Sequence, residues 1–136
     1  MFITRRAEFS AGRACENPAL SDEQNRALYG PAASPHGHNF VVEVTLEGEA
    51  DPSTGMVFDL KKLKEILERE VVAPMDHRFL NREVPPFDRV IPTVENLAQE
   101  IWRRVESHFR QGEVRLHAVR LYETEDLWVD CIGEAS

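Results

Sequence analysis

Between residues 39 and 47 the chain alternates: Phe40, Val42, Val44 and Leu46 fall on one parity, and Val41, Glu43, Thr45 and Glu47 on the other. A period of two over that length marks a β-strand with one buried face. It also ties the register of any partner strand, because a slip of one residue would turn the apolar set to water. The run is headed by His36-Gly37-His38. Residues i and i+2 of a strand project from the same face about 6–7 Å apart, so two imidazoles there can converge on one metal ion, and zinc is the leading reading. The alternative is two polar histidines on the solvent face of a strand.

The rest of the chain divides around that strand. Residues 2–11 read as a first strand, and Ser21-Asp22-Glu23-Gln24 has the form of a capping box opening a short helix that Gly30 and Pro31 end. Asp59 is a natural N-cap for an amphipathic helix carrying Leu60, Leu63, Ile66, Leu67 and Val71, which Pro74 stops. Pro85, Pro86 and Pro92 keep the chain irregular until Thr93 caps a second helix with Leu97, Ile101, Trp102, Val105 and Phe109 on one stripe, closed by Gly112. Residues 114–122 and 127–132 are the last two strands, joined by the acidic turn Glu123-Thr124-Glu125-Asp126. This order predicts an α+β fold: a four-stranded antiparallel sheet with two helices on one face. The other face and the edges need cover, which favours self-association.

Composition narrows the function. With 136 residues and no shift in composition, residues 1–136 are expected to form a single domain. A net charge of −8, with basic and acidic residues interspersed, argues against nucleic acid as a partner. No stretch has the roughly 18–20 apolar residues of a membrane span and no signal-peptide core follows Met1, so the expectation is a cytoplasmic protein without a membrane partner. Cys15 and Cys131 lie far apart without metal-type spacing, which indicates neither a disulfide framework nor a cysteine-only zinc site.

Six motifs in order then carry a resemblance: Phe9-Ser10-Ala11; His36-Gly37-His38-Asn39-Phe40; Thr54-Gly55-Met56-Val57-Phe58-Asp59-Leu60; Met75-Asp76-His77-Arg78-Phe79-Leu80-Asn81; Pro92-Thr93-Val94-Glu95-Asn96-Leu97; and Glu123-Thr124. Together they resemble the 6-pyruvoyl- and 6-carboxy-tetrahydropterin synthase family over almost the whole chain. The resemblance implies the tunnelling fold, in which subunits close into a barrel as trimers and stack as homohexamers, with pterin sites between subunits. It implies a lyase acting on 7,8-dihydroneopterin triphosphate and a Zn2+ held by three histidines. One branch of the family eliminates triphosphate; the other also loses acetaldehyde, on the route to queuosine. By this resemblance His36 and His38 are zinc ligands, Glu123 holds the pterin ring by paired hydrogen bonds, Thr93 lines the same pocket, and Asp76 and His77 form an acid–base pair. Imidazole suits proton transfer near neutral pH.

The family pattern fails at two chemically important positions. The third zinc histidine of the family corresponds to Arg13, which keeps its proton and offers no lone pair. Cys15, two residues on and on the same face if the strand persists, is then a candidate third ligand. The catalytic cysteine of relatives corresponds to Ala32, or in longer-looped relatives to Gly30, and neither supplies a thiol. Arg13 itself has three orientations open to it: toward the metal, toward a substrate phosphate, or toward solvent. Three readings follow: a lyase of altered chemistry using Asp76 and His77; a standard synthase in which Cys15 has taken over; or a catalytically silent pterin-binding or scaffold protein.

Overall fold

The computed structural model describes residues 1–133. Five strands form one sheet in the order β3-β1-β2-β4-β5: β1 at Phe2–Arg13, β2 at His36–Glu47, β3 at Arg78–Phe79, β4 at Arg115–Thr124 and β5 at Leu127–Ile132. Neighbours pair antiparallel except β3, which lies parallel on β1 at Ala11 and Gly12. The α+β class holds, and the expected four-stranded antiparallel sheet is corrected to a five-stranded mixed one. Two residues carry no readable period, which is why β3 escapes a sequence reading.

The alternation in β2 places Phe40, Val42, Val44 and Leu46 fully out of solvent. Each such side chain contributes about 1.5–3 kcal/mol. Phe9 and Ala11 of β1 and Leu116, Val119 and Leu121 of β4 join the same core. Helix α2 (Leu60–Leu67) and helix α5 (Val94–Glu106) cover that face through Leu63, Leu67, Leu97, Ile101 and Val105. The opposite face is polar: Thr4 bonds Thr45 at 2.7 Å, Ser10 bonds Asn39 at 2.6 Å, and Arg120 donates to Asp130 at 2.7 Å. The caps expected at Ser21, Asp59 and Thr93 all form, Ser21 within a complete capping box on α1 (Asp22–Tyr29). Among the described residues no helix is long and apolar enough to cross a membrane.

The helix begun at Asp59 does not stop at Pro74. It widens into a π-turn over Glu68–Val72, with the Ala73 N–H donating to the Glu68 carbonyl, and continues through α3 at Ala73–Met75. Proline orphans the carbonyl four residues before it, here that of Glu70. Arg104 of α5 supplies the missing donor at 3.2 Å, and donates also to the Pro85 carbonyl at 2.8 Å and to Glu100 at 2.6 Å. One guanidinium thus fixes the helix end that leads directly into Asp76 and His77. The next segment, which the prolines predict to be irregular, forms a helical turn, α4, at Leu80–Glu83.

Glu100, only 7% exposed, anchors this bracket. Burial pushes its carboxyl up, but hydrogen bonds from Arg103 and Arg104 outweigh that and hold it below its ordinary 4.5. A depressed folded value adds stability above the ordinary one and loses it as pH falls through the folded one. Glu100→Gln is therefore expected to be destabilised at neutral pH by about 2 kcal/mol. Below pH 4.5 the gap to wild type should narrow. Thermal unfolding from pH 7 to pH 3 checks this, and parallel profiles would contradict it.

Candidate active site

The β1–β2 register sets Arg13 opposite His36, Ala11 opposite His38 and Phe9 opposite Phe40. All six share the core-facing parity, so the apolar face passes at its end into a polar cluster. From β4, Glu123 enters as the extra residue of a bulge between Tyr122 and Thr124, against Trp128 and Leu127 of β5. Bulges re-aim side chains. Glu123 and Thr124 accordingly belong to the strand, not to the acidic turn. One donor atom from each of His36, His38 and Glu123 lies within 4.8 Å of the others, and this is the set that a metal would have to use.

Arg13 fills it. The side chain is 2% exposed, and its guanidinium donates to the Glu123 carboxylate, to the Pro92 carbonyl at 3.2 Å and to His36 Nε2 at 3.4 Å, lying over the Phe40 ring at 5.4 Å. The Ser34 carbonyl, 2.8 Å from His36 Nδ1, can only accept, so Nδ1 carries the proton and the Nε2 lone pair meets Arg13. His38 Nε2 stands 3.0 Å from Glu123 Oε1, which likewise can only accept, so this nitrogen donates. Burial, reinforced by Arg13, lowers the His38 pKa and keeps the ring neutral. All three prospective ligand atoms are thus engaged. A guanidinium about 4 Å from a dication opposes it by roughly 8 kcal/mol at an effective dielectric near 20. The residues present do not fit a zinc ion.

Cys15 is not brought to this group. Strand β1 ends at Arg13, so the parity that would have aimed Cys15 at the histidines does not extend to it. Its backbone N–H instead donates to the Ala32 carbonyl at 2.8 Å, and burial pushes the thiol up against the pull of Arg13, favouring the protonated form over a thiolate ligand. Arg13, 2% exposed, does not take the solvent-facing orientation.

Asp76 and His77 dock on β1 along the edge that β3 also pairs with. The Ser10 N–H donates to Asp76 Oδ1 at 2.8 Å, and the His77 N–H donates to the Ser10 carbonyl at 2.6 Å. His77 Nδ1 lies 2.9 Å from Asp76 Oδ2. The Ser10 bond, then the His77 bond, hold the Asp76 carboxyl below its usual range, so it is ionised at neutral pH. His77 takes a left-handed φ of 59°, and its side chain is 82% exposed. An open cavity of about 320 Å³ joins His77 to His38, floored by Gly12 and Gly37 and flanked by Ser10 and Asn39. Thr93 caps α5 by accepting from the Asn96 N–H, one residue after the carbonyl that Arg13 holds.

Sequence reasoning left the direction of Arg13 open and missed its partners Glu123 and the Pro92 carbonyl, and the facing glycines. Extending the β1 parity two residues beyond Ala11 would have put Arg13 on the core face and Gly12 opposite Gly37.

A model of the 6-pyruvoyl tetrahydropterin synthase family matches residues 2–134. The chain belongs to that family. It is 41% identical over 134 residues to human 6-pyruvoyl tetrahydrobiopterin synthase, covering 97% of this chain and 91% of that protein. The solved 6-pyruvoyl tetrahydropterin synthase of Caenorhabditis elegans superposes with a TM-score of 0.90 at 33% identity, covering 98% of this chain and 96% of that one. The dihydroneopterin monophosphate aldolase of Pyrococcus furiosus is 37% identical over 95 residues, 70% of this chain and 75% of that protein. Within this pterin synthase family, the His36–His38 pair, Glu123 and Asp76–His77 stand where the fold brings them to one end of the sheet, with Arg13 among them.

Proposed function

We propose that this chain is a lyase acting on the side chain of a 6-substituted 7,8-dihydropterin, such as 7,8-dihydroneopterin or its phosphates, and that Asp76 and His77 carry the chemistry without a metal. The observation that supports this most is the shared cavity: an exposed, carboxylate-backed imidazole opens onto the same space as the histidine beside Glu123. Glu123 Oε1 is occupied by Arg13 and His38, while Oε2 accepts no hydrogen bond among the described residues and faces the pterin's N3–H and 2-amino edge in this reading. Thr93 borders the ring.

The chemistry that suits an acid–base pair alone is carbon–carbon cleavage. His77 takes the proton of the C2′ hydroxyl; the oxygen's pair forms a carbonyl; the C1′–C2′ bond breaks, and its electrons pass through C6 to the ring nitrogen N5. The dihydropterin's own C=N bond is the electron sink. Asp76 stabilises the imidazolium, which then returns its proton to the pterin fragment. A two-carbon hydroxyaldehyde leaves, phosphorylated if the substrate was. The aldolase named for the Pyrococcus relative supports this bond as the one cleaved. Subunits close through the apolar side chains that β5 leaves exposed, Leu127, Trp128 and Ile132, into the family's hexamer, a dimer of trimers, and the partner covers the exposed His77.

Incubating metal-stripped protein with dihydroneopterin bearing three, one or no phosphates, with chromatography of pterin and aldehyde products, tests the reading. The expected products are a 6-hydroxymethyl pterin and the two-carbon aldehyde; release of triphosphate alone would overturn the bond assignment. A second reading, a silent pterin-binding protein, is favoured by the Arg13–Glu123 pair and predicts bound but unaltered pterin. Both readings share one pocket. A Cβ on Gly37 would meet only the Ala11 carbonyl at 3.5 Å, an ordinary contact. Gly37→Ala should therefore fold normally yet weaken pterin binding by about 1–3 kcal/mol, through a methyl group in the cavity floor. Pterin fluorescence titration reads this, and unchanged affinity would remove the cavity from the account.

A further inference from the structure

We propose that the Arg13 guanidinium is this chain's permanent substitute for a divalent ion, so that the site closes itself with its own cation and takes no zinc. A metal at this position would do two things: neutralise the carboxylate of Glu123 and tie the ends of β1, β2 and β4 together. Arg13 does both. It donates from β1 to Glu123 on β4, to His36 on β2 and to the Pro92 carbonyl ahead of α5, and its charge is matched by the Glu123 carboxylate, which also lies 3.0 Å from His38 Nε2. A divalent ion added to this set would leave uncompensated positive charge beside an Arg13 side chain that is 2% exposed.

The histidine geometry sharpens the point. His36 is still oriented as a metal ligand would be, with Nδ1–H on a backbone carbonyl and Nε2 turned inward. What meets Nε2 is the Arg13 Nε–H. A site with its outer support retained and its centre filled by a side chain has exchanged the ion, not lost its architecture. The inference does not depend on which reaction runs, since it concerns occupancy alone.

Cobalt(II) and zinc titrations of the full-length protein test it, read by visible absorption, by metal per subunit after dialysis, and by thermal unfolding. Wild type is expected to show no cobalt band, to retain no stoichiometric zinc and to melt at the same temperature with or without chelator. Arg13→His removes the cation and adds an imidazole opposite His36. It should bind one ion per subunit at least roughly a thousandfold more tightly than wild type, with a tetrahedral cobalt spectrum and a zinc-dependent rise in melting temperature. One tightly held zinc per subunit in wild type would overturn the proposal. So would a folded Arg13→His, by circular dichroism, that gains no metal. Should that variant not fold, the wild-type titration decides the matter alone.

Discussion

Replacing His77 with asparagine is expected to lower kcat by a factor of about 10²–10⁴, the loss typical of a deleted general acid–base group, equivalent to roughly 3–5 kcal/mol of barrier. The substitution separates chemistry from structure. His77 sits at φ 59°, a left-handed conformation that asparagine tolerates better than other side chains, and its own side chain is 82% exposed. The new amide can still donate to Asp76, so the bonds that dock this segment on Ser10 remain. Melting temperature and pterin affinity should therefore stay close to wild type while turnover collapses. Steady-state kinetics beside a thermal melt make the comparison, and a kcat within threefold of wild type would remove His77 from the chemistry.

Arg13→Ala is expected to cost about 3–5 kcal/mol of folding stability, because removing one partner of a buried ion pair strands the other. Glu123, with 20% of its side chain exposed, would keep its carboxylate beside His38 with no cation to match it, and the Pro92 carbonyl would lose its donor. For a chain of this size that is a fall in melting temperature of roughly 10 °C or more. Pairing the change with Glu123→Gln in a double-mutant cycle isolates the interaction: the double variant should be far less destabilised than the sum of the two singles. Additive effects would mean that the pair contributes little and that Arg13 acts through packing on Phe40 alone.

Much of this architecture is legible in residue order. The alternation of Phe40, Val42, Val44 and Leu46 gives both the strand and its buried face, and the caps at Ser21, Asp59 and Thr93 each form as their residue types imply. The pairing of His36 with His38 likewise gives a cluster on one strand face. What resisted reading depends on distant partners. The helical run that starts with α2 continues through Pro74 in α3, where Arg104, 34 residues from Glu70, takes the carbonyl that proline orphans. Strand β3 follows directly on Asp76 and His77, which catch the edge of β1 at Ser10. Arg13 has three orientations open to it in the sequence until the β1–β2 register sets it against His36. Its inward turn also needs a carboxylate 110 positions away, carried by a bulge in β4.

If Asp76 and His77 carry the chemistry on their own, turnover is independent of metal. Chelator-dialysed protein is given dihydroneopterin phosphates and product is followed by chromatography, once in chelator and once with added zinc. The expected result is the same rate of product formation in both, with no zinc retained after the second reaction. Turnover that appears only with zinc, with one ion held per subunit afterwards, would contradict the account.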